Sequence, residues 1–113
     1  MRTKRIYASA EPGDGYRVLI DRVWPRGVSR ERARLDEWAR ELAPSDELRS
    51  WFHHVPGRFN EFRSRYLEEL GSHADLLAQL RARAEKGPVT IVYAARDEQH
   101  NNAVVLAELL RDR

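Results

Sequence analysis

Apolar and polar positions along the chain follow a pattern typical of an α/β fold. Two apolar runs, residues 16–21 (or 16–22) and 89–94, are continuous enough to be strands that are buried on both faces of a sheet. The second run is rich in β-branched residues and carries no charge, which indicates a central strand. A shorter run, residues 5–8, predicts a first strand, and a turn rich in glycine and proline separates it from the next one.

Between and after these strands, apolar residues recur at the three- and four-residue spacing of amphipathic helices. Serines stand in N-cap positions before three of the helices, and glycine or proline follows several of them. We therefore predict five helices, over residues 29–42, 45–55, 58–70, 72–86 and 98–110. The predicted N-caps are Ser29, Ser45 and Ser72, and Gly71 is expected to end the third helix.

The order of these elements predicts how the sheet is built. The helical segment between the last two strands is long enough for a right-handed crossover, which joins parallel strands. We expect an α/β fold in which a small, mostly parallel sheet of about three strands packs with four to five helices. The 113 residues, 42% of them hydrophobic, are typical of one domain over residues 1–113.

Charged and polar residues follow both apolar strands. The carboxyl ends of parallel strands lie at one edge of a sheet, and open α/β sheets bind their ligands there. We therefore expect the loops after residues 16–21 and 89–94 to share one pocket. The candidate site residues are Asp21, Arg22, Trp24, Arg26, Arg96, Asp97, His100, Asn101 and Asn102.

The residue types of this candidate site suit an anionic ligand. Guanidinium groups chelate phosphates and carboxylates, so Arg22, Arg26 and Arg96 are candidate ligands of the anion. The N-terminus of the last helix would add backbone N–H groups. The amides of Asn101 and Asn102 could donate further hydrogen bonds.

Catalytic roles are open to three of these residues, but structural roles explain them as well. Asp21 or Asp97 could act as acid, base or hydrogen-bond acceptor, and His100 is a weaker candidate for proton transfer. Trp24 could stack on a planar ligand. Alternatively, Asp21 is the partner of a nearby arginine, Asp97 is a helix N-cap and Trp24 belongs to the core.

The absence of cysteine excludes disulfides, thiolate nucleophiles and cysteine metal sites. His53 and His54 make a poor metal pair because adjacent residues point in different directions on a helix. Asp97 and His100 have suitable spacing but no evident third ligand. The common phosphate-loop, dinucleotide-binding, zinc-protease and serine-hydrolase motifs do not occur. We therefore expect neither a metal nor a cofactor.

The remaining composition bears on location and partners. No apolar stretch approaches the ~20 residues of a membrane span, and the N-terminus lacks the apolar segment of a signal peptide, so we expect a cytoplasmic protein without membrane binding. An anionic small molecule is the favoured partner. One alternative is a protein-interaction module. The other is a nucleic-acid-binding module, opposed by interleaved acidic residues but suggested by the pI of about 9.3 and by Arg2, Arg5, Arg30, Arg32 and Arg34. The sequence leaves the oligomeric state and the existence of a reaction open.

Four segments of the chain carry a family resemblance. They are residues 21–29 (DRVWPRGVS), 41–45 (ELAPS), 48–52 (LRSWF) and 93–103 (YAARDEQHNNA). They resemble the small bacterial proteins of domain-of-unknown-function family 488, in its YeaO-like branch, over nearly the whole chain. The resemblance implies a cytoplasmic α/β protein and no particular function.

The resemblance also implies that longer family members carry a cysteine in the loop after the last strand. The matching stretch here, residues 94–97, has none. Thiolate chemistry is therefore excluded for this chain, even if the loop keeps a shape suited to anions.

Overall fold

A four-stranded parallel sheet organises the protein, whose computed structural model describes residues 1–111. The strands are β1 (Arg2–Arg5), β2 (Tyr16–Leu19), β3 (Glu37–Trp38) and β4 (Val89–Tyr93). They lie in the order β1-β4-β2-β3, and each neighbouring pair is parallel. The α/β class and the parallel pairing of β2 with β4 are confirmed, and the sheet has one strand more than expected.

Five α-helices accompany the sheet within residues 1–111. They are α1 (Arg30–Ala33), α2 (Asp46–Phe52), α3 (Phe59–Leu70), α4 (Ala74–Lys86) and α5 (Asn102–Arg111). Short 3₁₀ turns lie at Pro12–Asp14, Arg40–Leu42, Pro56–Arg58 and Gly71–His73. Helices α2, α3 and α4 were predicted, and Ser45 caps α2 as expected, its Oγ accepting from the N–H of Leu48 at 3.1 Å. None of these helices has the length and apolar character needed to cross a membrane.

Strand β1 lies earlier in the chain than the predicted residues 5–8. Its pairing with β4 ends with Arg5 opposite Tyr93. Ile6 then donates one more hydrogen bond to the carbonyl of Tyr93, at 2.7 Å, before the chain turns away. Arg5 therefore stands at the carboxyl end of β1 rather than at its start.

The prediction of a helix over residues 29–42 is wrong beyond the first turn, because α1 ends at Ala33. Ser29 caps α1 as expected, but Arg34 adopts a left-handed backbone conformation, with φ of 47°, that ends the helix. The chain then pairs with β2, and Ala39 donates a backbone hydrogen bond to Leu19 at 2.8 Å. Tertiary pairing with the sheet thus overrides a helical spacing of apolar residues.

Two helices begin later than predicted. Gly71 ends α3 as expected, since the helix stops at Leu70, but a 3₁₀ turn over Gly71–His73 follows, so α4 begins at Ala74 and not at Ser72. Helix α5 begins at Asn102 and not at Glu98, because polar side chains hold the preceding loop in turns.

Both faces of the sheet are buried, as the continuous apolar strands predict. Helices α2 to α5 cover one face, where Val18 and Ile20 of the β2 segment and Ile91 and Tyr93 of β4 join the main core. A smaller cluster covers the other face. It comprises Ile6, Leu19, Ala33 and Val92, with Trp24, Val28, Leu35, Trp38 and Ala94 packed against them.

A buried ion network joins β1 and β2 through Asp14, which lies in the turn before β2. The side chain of Asp14, expected only as part of a turn, is fully buried and accepts from Lys4 Nζ at 3.0 Å and Arg17 Nη1 at 2.7 Å. Arg17 also donates to the carbonyl of Ala33 at 2.9 Å. A charge inside an apolar strand needs a buried partner, so Arg17 was a signal for this network in the sequence.

Candidate functional site

The carboxyl ends of β1, β2 and β4 meet at one edge of the sheet, called here the carboxyl edge (residues 5–7, 20–28 and 94–102). Asp21 joins two of its segments. One carboxylate oxygen accepts from the backbone N–H of Ala94 at 2.9 Å, and the other accepts from the side-chain amide of Asn102 at 3.1 Å. The two loops expected to share an edge are thus tied together by a carboxylate.

Burial raises the pKa of the Asp21 carboxyl above its usual value, while the hydrogen bonds from Asn102 and Ala94 oppose that rise. The side chains of His54 and Arg49 act in the same direction as those hydrogen bonds. The sequence did not predict that His54 and Arg49 lie near Asp21, because the packing of α2 onto the sheet leaves no periodic pattern in the sequence. Both carboxylate oxygens of Asp21 accept hydrogen bonds from the protein. Its structural role is therefore to hold the carboxyl edge together.

Asp97 organises the loop before α5. One carboxylate oxygen accepts from the backbone N–H groups of Gln99 at 2.9 Å and His100 at 3.0 Å, and the other lies 2.9 Å from Nδ1 of His100. The hydrogen bond from Gln99, followed by the contact with His100, lowers the pKa of Asp97. The His100 ring packs edge-on against Phe59, with centroids 5.1 Å apart. The two candidate proton-transfer residues of this loop therefore bind one another.

Asn101 and Asn102 are buried and bind the protein itself. Asn101 caps α5, since its side-chain oxygen accepts from the N–H of Val104 at 2.9 Å and its amide donates to the carbonyl of Asp97 at 2.8 Å. The amide of Asn102 donates to Asp21 and to the carbonyl of Ile20. Both amides, and the N–H of Val104 in the first turn of α5, thus have partners within the protein.

Arg22 lies on the α2 side of the carboxyl edge. Its Nε is 3.6 Å from the carboxylate of Asp46, and one Nη is 3.5 Å from the carbonyl of Pro44. Together with Glu69 and His73 it lines a cavity of about 260 Å³. Arg22 is therefore directed to a different surface from the loop after β4.

Trp24 takes the core role that was one of its two interpretations. Its indole N–H donates to the carbonyl of Val28 at 2.7 Å, and its ring meets Trp38 edge-on with centroids 5.3 Å apart. The guanidinium of Arg30 lies 4.5 Å from the Trp24 centroid. These contacts leave the ring packed over the smaller core cluster.

Arg26 and Arg96 remain exposed at the carboxyl edge, and two residues that the sequence analysis did not select join their loops. The Tyr7 hydroxyl donates to the carbonyl of Arg26 at 3.0 Å, and Arg5 Nε donates to the carbonyl of Ala95 at 2.9 Å. The Arg5 guanidinium also lies 5.0 Å from the centroid of the Tyr7 ring. Placing β1 at residues 5–8 hid these two residues, because it put Arg5 at the wrong end of the strand.

The opposite edge of the sheet holds the larger cavity, of about 610 Å³. Tyr16 and Glu37 line it, joined by a 2.7 Å hydrogen bond, and the Arg83 guanidinium lies 4.0 Å from the Tyr16 centroid. None of the candidate site residues lies there. Within residues 1–111, no group of three or more His, Asp or Glu side chains is placed to hold a metal ion.

Comparisons with known proteins agree with the resemblance seen in the sequence. The chain is 47% identical over 113 residues to the uncharacterized protein Rv3073c of Mycobacterium tuberculosis (strain H37Rv), which covers 100% of this chain and 95% of that protein. It is 44% identical over 111 residues to the uncharacterized protein YeaO of Escherichia coli (strain K12), which covers 98% of this chain and 96% of that protein. No solved structure matches it. A family model described as the inactive DUF488-N3 subclade matches residues 1–113, and the chain therefore belongs to that family.

Proposed function

We propose that this protein binds small phosphate-bearing anions at the carboxyl edge and catalyses no reaction there. The ligands of the anion are the guanidinium groups of Arg5, Arg26 and Arg96. The observation that carries the proposal is the pair of hydrogen bonds from Tyr7 to the carbonyl of Arg26 and from Arg5 to that of Ala95. These two bonds connect the segments that carry Arg5, Arg26 and Arg96, and so support a single surface for the three guanidinium groups.

The state of the guanidinium groups favours an anionic ligand. Arg26 and Arg96 are exposed, and neither side chain has a hydrogen bond or ion pair within residues 1–111. Arg17 and Arg63, by contrast, pair with carboxylates. A guanidinium with free donors matches the oxygens of a phosphate in charge and in geometry.

Three observations favour binding over catalysis. The carboxylate oxygens of Asp21 and Asp97 are engaged within the protein. The chain has no cysteine, and its subclade is described as inactive. The acid and base roles that the sequence leaves open for Asp21, Asp97 and His100 are replaced in this proposal by structural roles. The single domain over residues 1–113 and the cytoplasmic location stay predictions.

The test is an NMR titration of the protein with inorganic pyrophosphate at low ionic strength. We expect saturable shifts of the amide signals in the loops that carry Arg26 and Arg96. The variants Arg26→Ala and Arg96→Ala should each weaken binding about tenfold, because each loses one charge-assisted contact with the anion. The control is Arg83→Ala, which removes the same charge from the opposite edge and should leave affinity unchanged.

Two results would contradict the proposal. If Arg83→Ala abolished binding and the other two variants did not, the anion would occupy the larger cavity instead. If single-stranded DNA bound far more tightly than pyrophosphate, with an affinity that falls steeply as salt is added, the nucleic-acid-binding alternative would replace the small anion.

A further inference from the structure

We infer that the ligand of the carboxyl edge is a free nucleoside phosphate, whose base stacks on Tyr7 while its phosphates meet Arg26 and Arg96. The inference rests on the proposed anion site and adds the chemical class of the rest of the ligand. It is drawn from the aromatic ring of Tyr7, since the anion site uses only the Tyr7 hydroxyl, through its bond to the carbonyl of Arg26.

Tyr7 is unusually exposed for an aromatic residue beside a core. Its exposed fraction is 44%, although its neighbour Ile6 is buried in the smaller core cluster. The backbone of one residue has too little surface to account for this exposed fraction, so part of the Tyr7 ring is exposed as well. An exposed aromatic ring next to free cations is a feature that folding does not require and that a planar ligand would use.

The Tyr7 ring is also held in position. Its hydroxyl donates to the carbonyl of Arg26 at 3.0 Å, and the Arg5 guanidinium lies 5.0 Å from its centroid. Because these contacts already restrict the side chain, little conformational entropy remains to be lost when a ligand stacks on it. The Arg5 guanidinium lies over one face of the ring, so the base stacks on the other face.

The geometry joins the stacking surface to the phosphate ligands. The hydrogen bond from Tyr7 ends on Arg26 itself, so the Arg26 side chain starts beside the ring. Arg5 connects the ring to the segment preceding Arg96 through its bond to Ala95. One small molecule with a planar ring and a phosphate group therefore has a partner for each of its two parts.

The tryptophan rings offer less for stacking. Trp24 and Trp38 meet edge-on and are both only partly exposed, whereas 44% of Tyr7 is exposed. Within residues 1–111, Tyr7 is the aromatic residue that combines exposure with neighbouring arginines that have no carboxylate partner.

The experiment compares ADP, adenosine and pyrophosphate by NMR titration of the wild-type protein and two variants. We expect ADP to bind at least about tenfold more tightly than pyrophosphate, since stacking adds to the phosphate contacts. Tyr7→Leu should remove that preference, and pyrophosphate should bind it as it binds Tyr7→Phe, because both variants lack the hydroxyl bond to Arg26. Tyr7→Phe, which keeps the ring but lacks the hydroxyl, should retain most of it.

The outcomes separate this inference from the anion site. If pyrophosphate binds with the expected arginine dependence but ADP binds no more tightly, the nucleoside phosphate is wrong and the anion site stands. If Tyr7→Leu weakens ADP and pyrophosphate equally, Tyr7 supports the loop and does not stack, which also overturns the inference. If neither phosphate compound binds, the anion site itself fails.

Discussion

At the scale of single residues, two aspartates show how environment decides what a carboxylate does. Burial by itself favours a higher pKa for both carboxyls, those of Asp14 and Asp21. For Asp14, hydrogen bonds from the Glu11 N–H, Lys4 and Arg17 outweigh burial, so its pKa lies below the usual value. For Asp21 the partners are neutral donors and more distant charges, burial prevails, and the pKa lies above the usual value.

Asp21 and Asn102 should be energetically coupled. We expect Asp21→Ala to lower the free energy of unfolding by about 2 kcal/mol, because it leaves the N–H of Ala94 without its acceptor and removes one of the two acceptors of the Asn102 amide. Asn102→Ala should cost a similar amount. The double variant should cost less than the sum of the two, by about 1 kcal/mol, since each change already breaks the shared bond.

Urea denaturation of the four proteins measures this cycle. If the costs of the two single variants simply add, Asp21 and Asn102 do not act as a pair. The carboxyl edge would then be held by the strand pairing alone.

At the scale of elements, the start of β2 depends on one glycine. Gly15 has φ of 65°, and a Cβ there would lie 2.3 Å from the carbonyl oxygen of Pro88, where β2 meets β4. We expect Gly15→Ala to lower the free energy of unfolding by about 2 kcal/mol or more. The control is Gly57→Ala, since a Cβ at Gly57 has nothing within 4 Å.

The comparison is made by thermal and urea unfolding of both variants. Equal stability of the two variants would mean that the β2 turn relaxes around the new methyl group. It would also mean that the close approach to Pro88 does not fix the position of the strand.

Sequence pattern predicted the elements whose local signal agrees with their tertiary role. The regular apolar spacing of α3 and α4 and the β-branched residues of β4 needed no knowledge of the rest of the fold. The prediction failed for the segment after Ser29. Its apolar residues have helical spacing, but hydrogen bonding of its backbone to β2 is more favourable. A short edge strand of two residues leaves too little pattern to be recognised.

The contacts of the candidate site also fall into those that the sequence could predict and those that it could not. The meeting of Asp21 with Asn102 follows from parallel topology, so the sequence could predict it. The direction of Arg22 depends on where α2 packs, and the role of Tyr7 depends on the register of β1. Both are set by contacts between segments far apart in the chain, for which one sequence provides no periodic signal.

At the scale of the whole molecule, the two aspartates make opposite contributions to stability as the pH changes. The lowered pKa of Asp14 means that its contribution is present above its unfolded value near 3.8 and is lost as the pH falls through the folded value. The raised pKa of Asp21 means that its contribution is present below 3.8 and is lost as the pH rises through the folded value. The pH dependence of stability contains both contributions, together with those of other shifted groups such as Asp97, whose pKa is also lowered.

Asp14→Asn and Asp21→Asn separate these contributions, because asparagine does not ionise. At pH 7 we expect Asp14→Asn to lower the free energy of unfolding by roughly 3 to 5 kcal/mol, since it leaves the buried Arg17 guanidinium without its counter-charge. That cost should shrink as the pH falls below 3.8. The cost of Asp21→Asn should change in the opposite sense, being larger in acid than at neutral pH. Urea denaturation from pH 2.5 to 7 measures both trends, and two costs that rise or fall together would contradict the assignment of opposite pKa shifts to these buried carboxyls.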